Sequence, residues 1–186
     1  MAIKLIVGLK NPGDKYAKTR HNAGAWVLED LSSDWRPKKD FFGDMSYLSA
    51  TFYGVVGFLP SSYMNLSGQA VAAIVRFYRY QPEEILVVHD ELDLPPGTIR
   101  FKHGGGHGGH NGLQDIIKHL GTSDFYRLRV GIGHPGHKSD VANYVLHQPS
   151  TDERRLIDEA ISKLLPVLPR IIKGDFEFAM NELHRR

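Results

Sequence analysis

Short apolar runs of strand length alternate along the chain with longer segments in which apolar residues recur every three or four positions. Such runs are typical of buried strands, because a strand that is covered on both faces shows no polar alternation. The predicted strands are IKLIVGL (3–9), SYLSATF (46–52), GVVGFL (54–59), EILVVHD (84–90), TIRFK (98–102) and FYRLRVGIG (125–133). The pairs within 46–59 and 84–102 are close in sequence, which predicts two hairpins and therefore a mixed sheet.

Helical periodicity occupies the segments between these runs. The predicted helices cover 22–33, 65–80, 111–120, 139–146, 150–165 and 175–186. Gly121 stands where a helix usually ends, and Asn65 or Ser67 is the predicted N-cap of the second helix. Strands and helices alternate over the whole length without a linker or a repeat, which predicts an α/β fold around one sheet.

Composition narrows the class of protein. The 186 residues fit one domain, 41% of them are hydrophobic, and no apolar run is long enough to cross a bilayer. The first apolar run contains Lys4 and leads to no cleavage site, so it indicates a strand and not a signal peptide. The absence of Cys excludes disulfides and thiolate zinc sites and fits a reducing compartment, so we expect a cytoplasmic location.

The distribution of charge along the chain says more than the net charge of +2. Residues 98–110 and 125–138 contain Arg, Lys and His but no acid, whereas 83–93 contains five acids. Two acid-free basic stretches predict a local basic face that suits a polyanion such as nucleic acid. Solvated charge without any partner is the alternative.

The tract HGGGHGGHNG (103–112) contains six glycines and three histidines. Its glycines match the dinucleotide pattern G-x-G-x-x-G, but the next strand lacks the acid that would hold a ribose. Its histidines are metal-ligand types, but so many glycines provide neither the rigidity nor the supporting hydrogen bonds that zinc needs, and we predict no metal here. A dinucleotide-dependent oxidoreductase and a non-catalytic RNA-binding module remain the two alternative functions.

His21 and Asp90 form the candidate acid–base pair. His21 ends the loop that follows the first strand, and Asp90 ends the strand 84–90. Sites in α/β sheets gather at the carboxyl ends of strands, so we expect the two side chains to meet there, with the carboxylate fixing the ring tautomer. Asn11, Asn65 and Asn111 stand at comparable loop or helix starts and offer neutral amides, although each alone is equally typical of a turn or a cap.

Five stretches together resemble the bacterial-type peptidyl-tRNA hydrolases. They are GLKNPGDKYAKTRHNAGAW (8–26), YMNLSGQAV (63–71), HDELDLPPG (89–97), FKHGGGHGGHNGL (101–113) and RLRVGIGHPG (127–136). The resemblance implies a single three-layer α/β domain over residues 1–186, with a mixed twisted sheet flanked by helices. It also implies hydrolysis of the ester that joins a peptide to the terminal ribose of tRNA, which recycles tRNA from stalled translation. The enzyme would be a monomer that needs no cofactor, metal, membrane or obligate protein partner.

The resemblance further implies roles for single residues. His21 would be the base that activates water, Asp90 its orienting partner, and Asn11 a group that positions the ester or the water. The implied substrate-binding residues are Asn65, Asn111, Tyr63, Met64 and Tyr16, and the implied contacts to tRNA phosphates are Arg100, Lys102 and Arg129. The glycine tract would be bare backbone beside the cleft, with its histidines at the surface or on phosphates. Lys10 and Tyr63 depart from the residues usual in the family, which are a small residue and Phe.

Overall fold

A mixed sheet of seven strands runs through the protein, whose computed structural model describes residues 2–184. The strands are β1 (Leu5–Gly8), β2 (Arg36–Lys38), β3 (Gly43–Tyr47), β4 (Val56–Pro60), β5 (Ile85–Glu91), β6 (Ile99–His103) and β7 (Tyr126–Gly131). The helices are α1 (Ala23–Glu29), α2 (Ser67–Tyr78), α3 (Asn111–Leu120), α4 (Val141–Val145), α5 (Thr151–Leu164), α6 (Leu168–Ile172) and α7 (Phe176–Leu183). The last two residues of the helix predicted for 175–186 lie outside the described residues.

The strands follow the order β2-β3-β4-β1-β5-β7-β6. The neighbours β4, β1, β5 and β7 are parallel to one another, so their carboxyl ends meet at one edge of the sheet. The pairs β2–β3, β3–β4 and β6–β7 are antiparallel, which makes the sheet mixed as the hydropathy pattern predicts. The loops that follow β1 and β5 therefore lie side by side.

One of the two predicted hairpins is confirmed and the other is wrong. β3 and β4 pair antiparallel, with Met45 opposite Phe58. β5 and β6 do not pair, because β7 lies between them, parallel to β5 and antiparallel to β6. β7 buries four of its six residues and needs a strand on each side, whereas β6 exposes Lys102 and His103 and suits the edge of the sheet.

Helices cover both faces of the sheet. Alternate residues of β1 point to opposite faces: Ile6 joins the core beneath α1, α5, α6 and α7, whereas Leu5 and Val7 join the core beneath α2 and α3. The prediction of a three-layer α/β fold with a mixed sheet is confirmed. None of the helices formed by residues 2–184 combines the length and the apolar character needed to cross a membrane.

Local signals place some element ends correctly. Gly121 ends α3 in the left-handed region at φ +72°, and Ser150 with Glu153 forms the capping box of α5. The strand predicted for 46–52 ends instead at Tyr47, where the chain leaves the sheet and enters a 3-10 turn.

The predicted N-cap of α2 is wrong. The residue at that position is Leu66, and no side chain caps the helix. Ser67 Oγ donates to the Met64 carbonyl at 2.7 Å, so the Ser67 hydroxyl is engaged behind the first turn of the helix. Asn65 lies in the preceding 3-10 turn with its side chain exposed, which leaves its amide available for contacts outside the fold.

Gly24 brings α1 close to β5. A Cβ atom at this position would lie 2.2 Å from the Val88 carbonyl oxygen and 2.9 Å from the His89 Cα. We expect Gly24→Ala to lower the free energy of unfolding by about 1–3 kcal/mol or more, because only backbone can move to make room. Urea unfolding measures this, with Gly106→Ala as the control, since a Cβ there meets nothing within 4 Å. Equal unfolding midpoints for the two variants would contradict the close approach.

Candidate active site

A cavity of about 710 Å³ opens at the carboxyl ends of β5 and β7. Its walls are the end of β5, the glycine tract, the start of α3 and residues 134–145. Among the residues that were predicted for the site, His21, Asp90, Asn111, Lys102 and Arg129 line this cavity. The remaining predicted residues lie outside its lining. The candidate base, one amide and two cations thus line the same cavity.

The loop that carries His21 is closed by two asparagines. The Asn11 backbone N–H donates to Asn22 Oδ1 at 2.8 Å, and Asn22 Nδ2 donates back to the Asn11 carbonyl at 3.0 Å. Asn22 is fully buried, and sequence reasoning did not single it out. These reciprocal bonds join the two ends of the loop and hold the 3-10 turn Arg20–Asn22, from which His21 projects.

His21 and Asp90 meet as the positions of their strands predict. His21 Nδ1 lies 3.0 Å from Asp90 Oδ1 and 2.9 Å from Oδ2, and both side chains are buried. A carboxylate at this distance requires a proton on Nδ1, which assigns the tautomer and leaves the lone pair on Nε2. Nε2 is therefore the nitrogen that can take a proton from water.

His110 is the side chain that sequence reasoning misplaced. It was predicted at the surface or on phosphates, but it caps α3: its Nδ1 accepts from the Gly112 and Leu113 backbone N–H groups at 3.1 and 3.2 Å. Its Nε2–H donates to Asp90 Oδ1 at 2.7 Å. Nδ1 must be unprotonated to accept, so the ring is neutral and one carboxylate serves two imidazoles. A histidine just before a helix start was the available signal, although Ser, Thr, Asp and Asn are the usual caps.

This cap also bears on the dinucleotide alternative. A pyrophosphate binds such a motif through the backbone N–H groups at the start of the following helix. Here the Gly112 and Leu113 amides already donate to His110. The glycine pattern therefore lacks the anion-binding amides that the oxidoreductase hypothesis needs.

The electrostatics of the cluster favour a charged Asp90 and a basic His21. Burial raises the pKa of Asp90, but the charge of His21 and the hydrogen bonds from His21 and His110 outweigh it and hold that pKa well below its usual range. Burial lowers the pKa of His21, and the charge and hydrogen bond of Asp90 outweigh it and raise that pKa above its ordinary value. The carboxylate thus stays ionised and strengthens the imidazole as a base.

His21, Asp90 and His110 also form the one group of metal-ligand types that occurs among residues 2–184, with ligand atoms within 4.8 Å of one another. The contacts to Asp90, at 2.7–3.0 Å, have hydrogen-bond lengths. Three such ligands lie about 2.0–2.2 Å from a zinc ion, so the two rings would have to approach each other before an ion fits. The predicted absence of a metal stays a prediction.

The other predicted substrate residues form a neighbouring cluster. Asn11 is buried and its Oδ1 accepts from the Met64 backbone N–H at 2.7 Å. Met64 is buried against the start of α3, since a Cβ on Gly112 would lie 2.7 Å from its Sδ. The exposed ring of Tyr63 lies edge-on to Tyr16, with ring centroids 6.3 Å apart. This second group of side chains thus adjoins the helix start that lines the cavity.

A basic face covers the outer strands β6 and β7. Arg100 lies opposite Arg129, and Lys102 lies opposite Arg127, so the antiparallel register places all four side chains on one face. Arg129 Nε donates to Glu91 Oε1 at 2.9 Å, which neutralises part of its charge. Arg100 is half-buried and does not line the cavity.

Arg127 has a role that the sequence did not indicate. Its side chain is buried, and its guanidinium donates to the Gly106 carbonyl at 2.5 Å and to the Gly105 carbonyl at 2.6 Å. These bonds hold the glycine tract against β7. Arg127 and Arg129 are two residues apart on β7, so the sequence places both on one face of the sheet. That spacing alone does not show whether an arginine holds a loop of the protein or contacts a ligand.

A buried histidine–aspartate pair at the carboxyl edge of an α/β sheet, beside a basic face, is typical of enzymes, and we take this cavity as the candidate active site. The family model described as peptidyl-tRNA hydrolase matches residues 5–186. The chain belongs to this family. A peptidyl-tRNA hydrolase of Neisseria meningitidis serogroup C is 53% identical, over 99% of this chain and 98% of that protein. One from Coxiella burnetii is 54% identical, over 98% and 97%.

A solved structure agrees with the sequence relatives. The crystal structure of peptidyl-tRNA hydrolase from Acinetobacter baumannii superimposes with a TM-score of 0.93 and 46% identity, and the match covers 98% of this chain and 94% of that one. The fold and the family resemblance that the sequence predicts are therefore confirmed over nearly the whole length.

Proposed function

We propose that this protein hydrolyses the ester bond between a peptide and the terminal ribose of tRNA, and so recycles tRNA from stalled translation. Membership of the peptidyl-tRNA hydrolase family supports the reaction. The observation that carries the mechanism is the His21–Asp90 contact of 2.9 Å in the wall of a cavity that also contains Lys102 and Arg129. The protein acts as a monomer in the cytoplasm.

Water is the nucleophile in the proposed reaction. His21 Nε2 takes one proton of a water molecule as the oxygen attacks the ester carbonyl, and Asp90 stabilises the imidazolium that forms. The tetrahedral intermediate then expels the ribose oxygen, which receives the proton from His21. The products are a peptide with a free carboxylate and a tRNA with a free terminal hydroxyl. This reaction needs one base and donors for the oxyanion, and it forms no covalent intermediate with the enzyme.

The asparagines provide the neutral contacts to the peptide side. The oxygen of the Asn11 amide is occupied by Met64, so its Nδ2 remains as a donor for the ester or the water. Asn111 is exposed at the cavity wall, and Asn65 is exposed beside Met64. Both amides are proposed to hold the peptide backbone, with Tyr16 and Tyr63 beside them.

The first test compares substrates with blocked and free amines. We expect rapid hydrolysis of N-acetyl-aminoacyl-tRNA and little hydrolysis of the same ester with a free α-amine. The groove formed by Asn11, Asn65 and Asn111 contains neutral amides, which pair with a peptide bond but offer no carboxylate to an ammonium group that has lost its water. Release of the labelled amino acid measures both rates, and equal rates would refute the proposed substrate class.

The basic face is proposed to bind tRNA phosphates through Arg100, Lys102 and Arg129. We expect Lys102→Ala to raise the KM for full tRNA substrates of different sequence about equally and to leave kcat almost unchanged, because phosphate contacts carry little base information. The log–log salt slope of binding should fall by about 0.7–0.9. Lys163→Ala, an exposed lysine on α5, is the control and should change neither.

A short substrate separates the basic face from the catalytic centre. A peptide ester of a single terminal nucleotide lacks the phosphates that Lys102 is proposed to hold. Its hydrolysis by Lys102→Ala should match that of the wild type. An equal loss on the short substrate and on full tRNA would place Lys102 in the reaction itself and overturn the assignment.

A further inference from the structure

His89 is the buried titratable side chain beside Asp90 that the proposed mechanism does not use. It is 2% exposed, and it lies in the wall of the cavity. Its ring Nδ1 lies 2.8 Å from the Asp90 carbonyl oxygen, so this nitrogen carries a proton and donates. Its ring meets the His110 ring edge-on, with centroids 5.3 Å apart and planes at 70°. Its Nε2 is buried and has no hydrogen-bond partner within residues 2–184.

The side chain stays neutral throughout the range in which the enzyme would work. Burial lowers the pKa of His89 to about 4, while the hydrogen bond to the Asp90 carbonyl and the charges of Asp90 and Glu91 oppose the shift. Arg129 lies beside it in the parallel register. The charge of the His89 ring therefore does not change over the pH range in which His21 titrates.

We infer that His89 is a positioning residue for the reaction: its Nδ1–H bond fixes the Asp90 main chain, and through it the carboxylate that both imidazoles share. The inference rests on the proposed function. Asp90 stands one residue from the end of β5, where strand pairing stops. The bond from His89 Nδ1–H to the Asp90 carbonyl therefore adds a restraint near the end of the strand.

Two substitutions separate the hydrogen bond from simple packing. His89→Asn places an amide donor close to the position of Nδ1, whereas His89→Gln reaches toward Nε2 and leaves the Asp90 carbonyl without that donor. We expect His89→Asn to retain kcat within about 3-fold, and His89→Gln to lose about 10- to 100-fold in kcat with little change in KM, as misplacement of about 1 Å does. The acid limb of the His89→Gln profile should also move to lower pH, because a misplaced Asp90 raises the pKa of His21 less.

A measurement without substrate makes the inference independent of the reaction. NMR titration of the His21 ring nitrogens should give a lower midpoint in His89→Gln and a wild-type midpoint in His89→Asn. His119→Gln, a histidine near the end of α3 and outside the cavity lining, is the control and should leave both midpoint and turnover unchanged. If circular dichroism shows that His89→Gln is unfolded, His89→Phe replaces it, since Phe keeps a ring and has no donor.

The outcomes separate the inference from the function on which it rests. A wild type that does not hydrolyse blocked aminoacyl-tRNA contradicts the proposed function, and the NMR comparison still decides the positioning role. Equal losses in His89→Asn and His89→Gln without a shift of the His21 midpoint mean packing alone and overturn the inference. Wild-type turnover and midpoint in His89→Gln overturn it as well.

Discussion

His21→Ala should lower kcat on N-acetyl-aminoacyl-tRNA by about 10²- to 10⁴-fold, the contribution that a general base typically makes. Its Nε2 is the nitrogen left to take a proton when Asp90 holds the proton on Nδ1. His110 cannot replace it, because its Nδ1 already accepts two backbone N–H groups and its Nε2–H faces the same carboxylate. Single-turnover hydrolysis measures the loss.

Binding and rescue complete that experiment. The variant should bind tRNA as tightly as the wild type, because His21 is not one of the residues predicted to contact phosphates. Added imidazole should restore part of the rate. His119→Ala is the matched control on a ring outside the cavity lining. A near-normal rate in His21→Ala would move the base elsewhere, and an inactive wild type that binds tRNA would favour the RNA-binding alternative.

The contact between His21 and Asp90 was predictable because it depends on strand order at the centre of the sheet. IKLIVGL and EILVVHD each contain a continuous apolar run, LIVGL and ILVV, and such runs are typical of buried parallel strands. β1 and β5 are indeed neighbours, so residues that follow them meet at the same edge. The prediction needed the burial of two strands and no detail of the intervening chain.

The remaining features of the site depend on contacts between distant segments. The His110 cap and the Arg127 tether both arise because the glycine tract folds back against β5 and β7. The tract itself has no hydropathy pattern from which its path could be read. β2, with the residues Arg-Pro-Lys, was missed for a related reason: it is short and wholly exposed, so its sequence has no hydrophobic pattern that would predict a strand.

The strand order β5-β7-β6 shows the same limit at the level of the sheet. Nearness in sequence favours a β5–β6 hairpin, and that prediction is wrong. This order bears on the proposed phosphate contacts, because β7 places Arg129 next to both Arg100 and His89.

Asp90 serves two donors, and Asp90→Asn is therefore expected to have the second large effect. His21 Nδ1–H and His110 Nε2–H both need an acceptor, but Asn offers one oxygen and one NH₂ group. If the oxygen stays with His110, the new amide faces His21 and favours the proton on Nε2, which removes the base. We expect kcat to fall by about 10²- to 10⁴-fold, and by less than in His21→Ala because the ring remains.

The pH dependence of kcat/KM tests whether Asp90 raises the pKa of His21. Asp90 raises the pKa of His21 through its charge and hydrogen bond, while burial lowers it. When the charge is removed, burial remains, so the acid limb of kcat/KM should move to lower pH in Asp90→Asn. Asp152→Asn, an exposed acid at the start of α5, is the control and should keep the wild-type limb.

The double variant Asp90→Asn with His110→Ala tests whether the two imidazoles compete for one oxygen. Without His110, the Asn oxygen is free to turn toward His21 and restore its Nδ1–H tautomer. We expect the double variant to be faster than Asp90→Asn alone, although His110→Ala by itself removes the α3 cap and costs about 1 kcal/mol of stability. The relative rate of the double variant could instead equal the product of the relative rates of Asp90→Asn and His110→Ala. That result would show that His21 and His110 act independently of each other, and that the shared carboxylate does not couple them.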